Sequence, residues 1–155
     1  PVGRMVLEVI GYTDRWRIGM SDSTCMGLQL VNFWQDIRRD LDRHGRIYLP
    51  AEDMIAFGVR EEDLRRPRAR PELRRLVAFE VGRARQLLEE GAPLARFVMP
   101  SAALDVRAFT EGGLAVCGAI ADQDYDTLRA RPSPGRVGRA RILVRAAAAL
   151  VRGGG

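Results

Sequence analysis

Residues 29–50 constrain the fold more than any other stretch of the chain. In Gln29-Leu30-Val31-Asn32-Phe33-Trp34-Gln35-Asp36-Ile37-Arg38-Arg39-Asp40-Leu41, the apolar residues Leu30, Val31, Phe33, Trp34, Ile37 and Leu41 recur at helical spacing. Asn32, Asp36 and Asp40 stand four apart with Gln29 beside them, so one strip of that helix carries two carboxylates and two amides while the opposite arc can enter a core. A helix written this way is one wall of something. His44-Gly45 supplies a helix stop, and Gly45-Arg46-Ile47-Tyr48-Leu49-Pro50 follows directly, with Pro50 blocking continuation.

The rest of the chain offers only helices to pack against that wall. Val2 to Ile10 suits a helix, Gly11 to Asp14 a break, and a short segment surrounds Trp16 and Ile18. Ser21, Asp22 and Ser23 are expected to cap the long helix carrying the acidic strip. Pro50-Ala51-Glu52-Asp53 reads as the first turn of a short helix that Gly58 ends. Arg65 to Pro71 reads as a basic, solvated connector, and Pro71 then opens a helix from Glu72 to Glu90 that Gly91 stops; its apolar face includes one acid, Glu80. A further helix runs from Ser101 through Ile120 with Gly112-Gly113 inside it, a pair that fits a close helix contact, room for a ligand, or a kink or short break. Arg131-Pro132-Ser133-Pro134-Gly135 is a turn, Ala140 to Val151 a last helix and residues 153–155 a frayed tail. With no strand pattern of useful length, the expected class is all-α.

At 155 residues the chain fits one domain with a real core, expected over 1–152. It begins at Pro1 inside what looks like an element, and so reads as the later part of a longer protein. No apolar run approaches the roughly 20 residues of a membrane span. The net charge of +5 rests on Arg alone, there being no Lys, and is compatible with anionic partners such as diphosphates, an acidic membrane surface or nucleic acid. The Arg-rich connector lacks an aromatic residue to stack on a base, so nucleic acid is not expected. Cys25 and Cys117 form no CxxC pair and read as small core residues in a reducing cytoplasm.

Two carboxylates one turn apart direct hard oxygen ligands at one volume, which suits Mg²⁺ bound by one or two carboxylates with water and phosphate completing its shell. Asn32 adds a neutral oxygen, Arg46 a charge-assisted grip on a diphosphate, and Tyr48 a hydrogen bond or a ring face. From the carboxylate spacing alone, a solvated face laced by Arg38, Arg39 and Arg43 explains the same residues. The sequence from Gly45 to Pro50 separates the two.

Gln29-Leu30-Val31-Asn32, Asp36, Asp40 and then Gly45-Arg46-Ile47-Tyr48-Leu49-Pro50 resemble the second aspartate-rich helix and following loop of the squalene/phytoene synthases, enzymes that join or process prenyl diphosphates. Looser agreement covers Pro1 to Arg4, Arg83 to Gly91, Arg107 to Gly113, Asp126 and Arg131-Pro132. Phe33-Trp34-Gln35 is most similar to the bacterial hopanoid-pathway branch, understood to convert presqualene diphosphate and water to hydroxysqualene. The resemblance implies an isoprenoid-synthase-type helical bundle, Mg²⁺ on Asp36 and Asp40 assisted by Asn32, diphosphate contact by Arg46, Tyr48 lining the reacting pocket and Gln29 contacting substrate. It implies a prenyl diphosphate partner and allows peripheral contact with the inner face of the cytoplasmic membrane. Use of a reductant such as NADPH is left open. The linker from Leu41 to His44 is about one residue longer than the family pattern, and the family's first aspartate-rich helix has no counterpart here. Asp122 and Asp126 repeat the four-residue spacing in a region expected to be structural. A function of another class, an Arg-rich helical module on an acidic surface, needs none of these roles.

Overall fold

The computed structural model describes residues 2–135, and the expected helix 140–151 and tail 153–155 lie outside them. Among the described residues the structure is all-α. Six helices follow one another: α1 (Val2–Val9), α2 (Arg15–Gln35), α3 (Ile37–His44), α4 (Ala51–Phe57), α5 (Pro71–Gly91) and α6 (Pro100–Asp122). Short 3₁₀ turns occupy Glu61–Arg65 and Ala92–Arg96.

The long helix begins earlier than its serines suggested. Asp14, in extended backbone, accepts the Arg17 N–H at 3.0 Å on its side chain, so capping happens there. Trp16 and Ile18 are therefore part of α2 and not of a separate segment. Ser21 is buried inside it, and Gly3 of α1 lets the two helices meet, since a Cβ at Gly3 would strike Ser21 and Cys25.

The spine of the fold is α2 against α5. On α2 the buried positions Ser21, Thr24, Gly27, Val31 and Trp34 recur every three to four residues; on α5 the matching stripe is Leu73, Leu76, Val77, Glu80, Ala84 and Leu88. Leu88, fully buried, sits between Gly27 of α2 and Gly113 of α6. That contact decides the glycine pair: α6 runs unbroken through it, Gly113 makes the close approach, and a Cβ at Gly112 would meet nothing within 4 Å. Room for a ligand is not what Gly113 provides, because Leu88 and Leu28 fill it.

The connector from Arg65 to Pro71 is solvated as expected, exposed at every position but Ala69. Leu64 and Ala69 are buried, and Arg66 and Arg70 hold the buried Asp63 carboxylate at 3.0 and 3.2 Å. Asp126, 3% exposed, accepts the Ala69 N–H at 2.9 Å, so the second four-residue acidic spacing is structural. Cys117 is buried, and burial pushes its thiol up to about 11.

Gly91 closes the spine for a different reason. A Cβ there would lie 2.7 Å from the Met20 carbonyl oxygen and 2.8 Å from the Thr24 nitrogen, both backbone atoms. Gly91→Ala is expected to destabilise by about 2 kcal/mol, because overpacking against backbone cannot be relieved by a rotamer change. Gly112→Ala should instead stabilise by up to about 1 kcal/mol through helix propensity. Chemical denaturation of the two variants checks the contrast.

Candidate metal and diphosphate site

The expected single helix through the acidic strip is bent. Asp36 leaves helical geometry at φ −108° and ψ 13°, and α3 starts after it. The hydrogen-bond ladder nevertheless crosses the bend, because the Asp36 N–H reaches both Asn32 O (3.0 Å) and Phe33 O (3.3 Å), and the Asp40 N–H reaches Asp36 O at 2.8 Å. The relation of one turn between Asn32, Asp36 and Asp40 therefore survives. Val31, Trp34, Ile37 and Leu41 are buried behind the strip, with Leu30 and Phe33 packed at its edge, which is the apolar arc the periodicity required.

Past α3 the chain turns back on itself. Gly45 is left-handed at φ 60°, its N–H reaching Leu41 O at 3.0 Å while the Arg46 N–H reaches Asp40 O at 3.2 Å. This pair of bonds folds Arg46 over the end of the acidic strip despite the longer linker. Asp40, Arg46 and Tyr48 then line one narrow crevice with Phe33, Ile37 and Leu64. Tyr48 stacks on Phe33 with ring centroids 4.0 Å apart and planes 7° from parallel. Arg46 Nη1 donates to the Tyr48 hydroxyl at 3.4 Å. Asn32 is exposed on the same strip. Gln29 is exposed too, but it borders a different cleft, beside Arg4, Asp22 and Met26 between α1 and α2.

Asp36 has a partner that sequence spacing did not reveal. Arg131 Nε and Nη2 take both of its carboxylate oxygens at 2.7 and 2.9 Å, and Nη2 also donates to Gln35 Oε1 at 2.8 Å. Gln35, buried, donates in turn to the Pro132 carbonyl at 2.5 Å. In the sequence Arg131 stands in an expected turn 95 residues away, where it also carries part of the looser family agreement, and no local signal ties it to Asp36. Arg131, then Arg39 at 3.7 Å, hold the Asp36 carboxyl below the usual carboxylate range against an opposing push from burial.

The donor set fits a small hard cation. Asp36 and Asp40 offer two carboxylates one turn apart, Asn32 an amide oxygen, and no soft ligand stands among them. Among the described residues there is no group of three or more His, Cys, Asp or Glu placed to hold a metal.

An all-α bundle with a paired-Asp helix wall belongs to the class of isoprenoid-synthase folds, and a dehydrosqualene synthase crystal structure solved in complex with ligand matches it with TM-score 0.70 at 22% identity, over 86% of this chain and 47% of that one. The family model for squalene/phytoene synthase matches residues 1–150, and the chain belongs to that family. Squalene synthase HpnC from Alicyclobacillus acidocaldarius superposes with TM-score 0.77 at 44% identity, covering 81% of this chain and 47% of its own. A hydroxysqualene synthase of Rhodopseudomonas palustris is 38% identical over 96 residues, 61% of this chain and 32% of the relative. A phytoene synthase of Thermus thermophilus is 36% identical over 114 residues, 73% of this chain and 39% of the relative. The chain thus spans a third to two fifths of these curated relatives and about half of the solved chains.

Proposed function

We propose that residues 1–152 form the C-terminal part of a Mg²⁺-dependent prenyl-diphosphate enzyme domain that converts presqualene diphosphate to hydroxysqualene or squalene. The observation that carries this reading is the preserved one-turn spacing of Asp36 and Asp40 across the bend, with Arg46 folded back over Asp40. Asp36 and Asp40 would hold the metal with help from Asn32. When bound, Mg²⁺ neutralises charge on the departing diphosphate oxygens. Arg46 orients the diphosphate by charge-assisted hydrogen bonds, and Tyr48, fixed by its stack on Phe33, lines the reacting pocket. Gln29 would contact substrate from the separate cleft that it borders with Arg4 and Met26.

Two features support a domain completed by further chain. The face of α1 carrying Val2, Met5, Val6 and Val9 is exposed, and a groove of about 440 Å³ runs beside it between α2 and α6, lined by apolar groups such as Val6, Leu28 and Phe109. The second is the partial coverage of every relative above. No helix among the described residues is long and apolar enough to cross a membrane, so contact with a lipid surface, where a prenyl substrate would partition, is peripheral in this reading.

The test is to assay the protein that carries this chain with Mg²⁺ and, separately, presqualene, farnesyl or geranylgeranyl diphosphate. Diphosphate release from the first is expected, with NADPH added to separate squalene from hydroxysqualene as product. Release from farnesyl diphosphate alone would move the assignment to the condensing, presqualene diphosphate-forming reaction, and release from geranylgeranyl diphosphate to the phytoene-forming one, the activity for which the Thermus relative is named. Release from none of them overturns the enzyme reading. The isolated chain is expected to be inactive, having one carboxylate wall.

A further inference from the structure

The contact between Arg131 and Asp36 has the chemistry of a resident counter-ion. Its guanidinium uses its fork on both oxygens of Asp36 and is itself anchored by Gln35, which is tied to Pro132; Pro132 is fully buried. The Asp36 side chain is 14% exposed and that of Arg131 is 47% exposed, so the carboxylate is sheltered while the cation covering it faces solvent. Asp40, the other member of the pair, makes no such bond to a guanidinium among the described residues. The two carboxylates are therefore unlike: Asp36 is held by a two-pronged ion pair, whereas Asp40 feels the nearby Arg46 charge without one.

Resting on the reading of Asp36 and Asp40 as a metal-binding pair, we propose that Arg131 is a positioning residue that occupies Asp36 in the metal-free protein and gives way when a divalent cation binds. It holds the carboxylate aimed along the strip, and it sets the affinity of the site by competing for the same oxygens. A half-exposed ion pair is weak enough to be exchanged, because solvent screens it and the freed guanidinium regains water. A divalent ion offered to Asp36 while Arg131 stays in place meets like charge at contact range, so exchange is favoured over sharing. The bond to Gln35 keeps the strap attached when Arg131 lets go of Asp36, since it uses the buried amide and not the carboxylate.

Mn²⁺ binding to the whole chain, followed by the EPR signal of the free ion, tests this with R131Q, R131K, D36N and the R131Q/D36N double variant, each checked for helix content. R131Q is expected to bind Mn²⁺ about tenfold more tightly than the parent, because a competing charge has gone. R131K, which keeps charge without the fork, should fall between them, and on the D36N background the Arg131 change should have no effect. Unchanged or weaker binding by folded R131Q overturns the proposal and leaves the metal reading intact. Parent binding that D36N does not weaken overturns the metal reading itself, and the proposal with it. A second readout needs no variant: the Arg131 Nε–H resonance of the parent should shift when Mg²⁺ is added, and a resonance that stays put throughout saturation of the site also overturns the proposal.

Discussion

Replacing Asp36 and Asp40 together by Ala should lower Mg²⁺-dependent diphosphate release by the protein that carries this chain on the order of 10³-fold or more, the scale seen when charge stabilisation at a leaving group is removed. Helix content should stay close to that of the parent. The wall is held from behind by the buried Val31, Trp34, Ile37 and Leu41, all of which stay, and the backbone ladder across the bend does not use the carboxylates. The stability cost is the Arg131 pair, half exposed on the Arg side and so worth about 1 kcal/mol at most. Far-UV circular dichroism beside a coupled diphosphate assay reads both quantities. An Arg-rich module bound to an acidic surface would show the opposite pattern, with binding that falls steeply with salt and does not notice the double change.

The second large effect concerns stability and pH. Glu80 is 2% exposed on the α5 face that meets α2, and its carboxyl is pushed up to about 7, first by burial and then by a hydrogen bond with Asp53; Arg83 opposes the shift only in part. Below the unfolded value of 4.5 both states hold the proton and the fold pays nothing for it. As pH rises from there the unfolded chain ionises while the folded one resists, so this contribution is lost progressively until about pH 7 and stays lost above it. The loss approaches about 3 kcal/mol at 1.36 kcal/mol per pH unit. Glu80→Gln removes the titrating group but keeps the shape and a hydrogen-bond donor for Asp53, so the variant should be more stable than the parent at pH 8, with the difference vanishing towards pH 4.5. Denaturant titrations at a series of pH values check this. A parent whose stability rises between pH 5 and pH 8 in the region Glu80 controls, unchanged by Glu80→Gln, would show that the acid is ionised in the fold.

Much of this molecule is legible along the chain because its signals are local. The stop at Gly45 and the short helix ending at Gly58 are both left-handed glycines, at φ 60° and 68°, and Pro71 opens α5 as its missing N–H allows. The start of α2 was misjudged because Asp14 and Ser21 to Ser23 offer the same capping chemistry, and only the packing of α1 on Ser21 decides between them. Gly113 could be a contact or a kink until Leu88 is placed against it. The crevice shared by Asp40, Arg46 and Tyr48 follows from a six-residue loop with one left-handed turn, and short range is why the motif could be read. Gln29 was placed with the same group by helical spacing, yet it borders another cleft, because nothing in spacing says where a neighbouring helix crosses.

By itself the sequence determined the all-α class, the apolar arc behind the strip and the one-turn relation of Asn32, Asp36 and Asp40, since each follows from periodicity over a few residues. Tertiary structure alone decided that the strip bends at Asp36 and that a cation 95 residues away already covers that carboxylate. The reason is range: a helix period acts over four residues, whereas a guanidinium reaches Asp36 only once α6 has brought the chain back across the bundle.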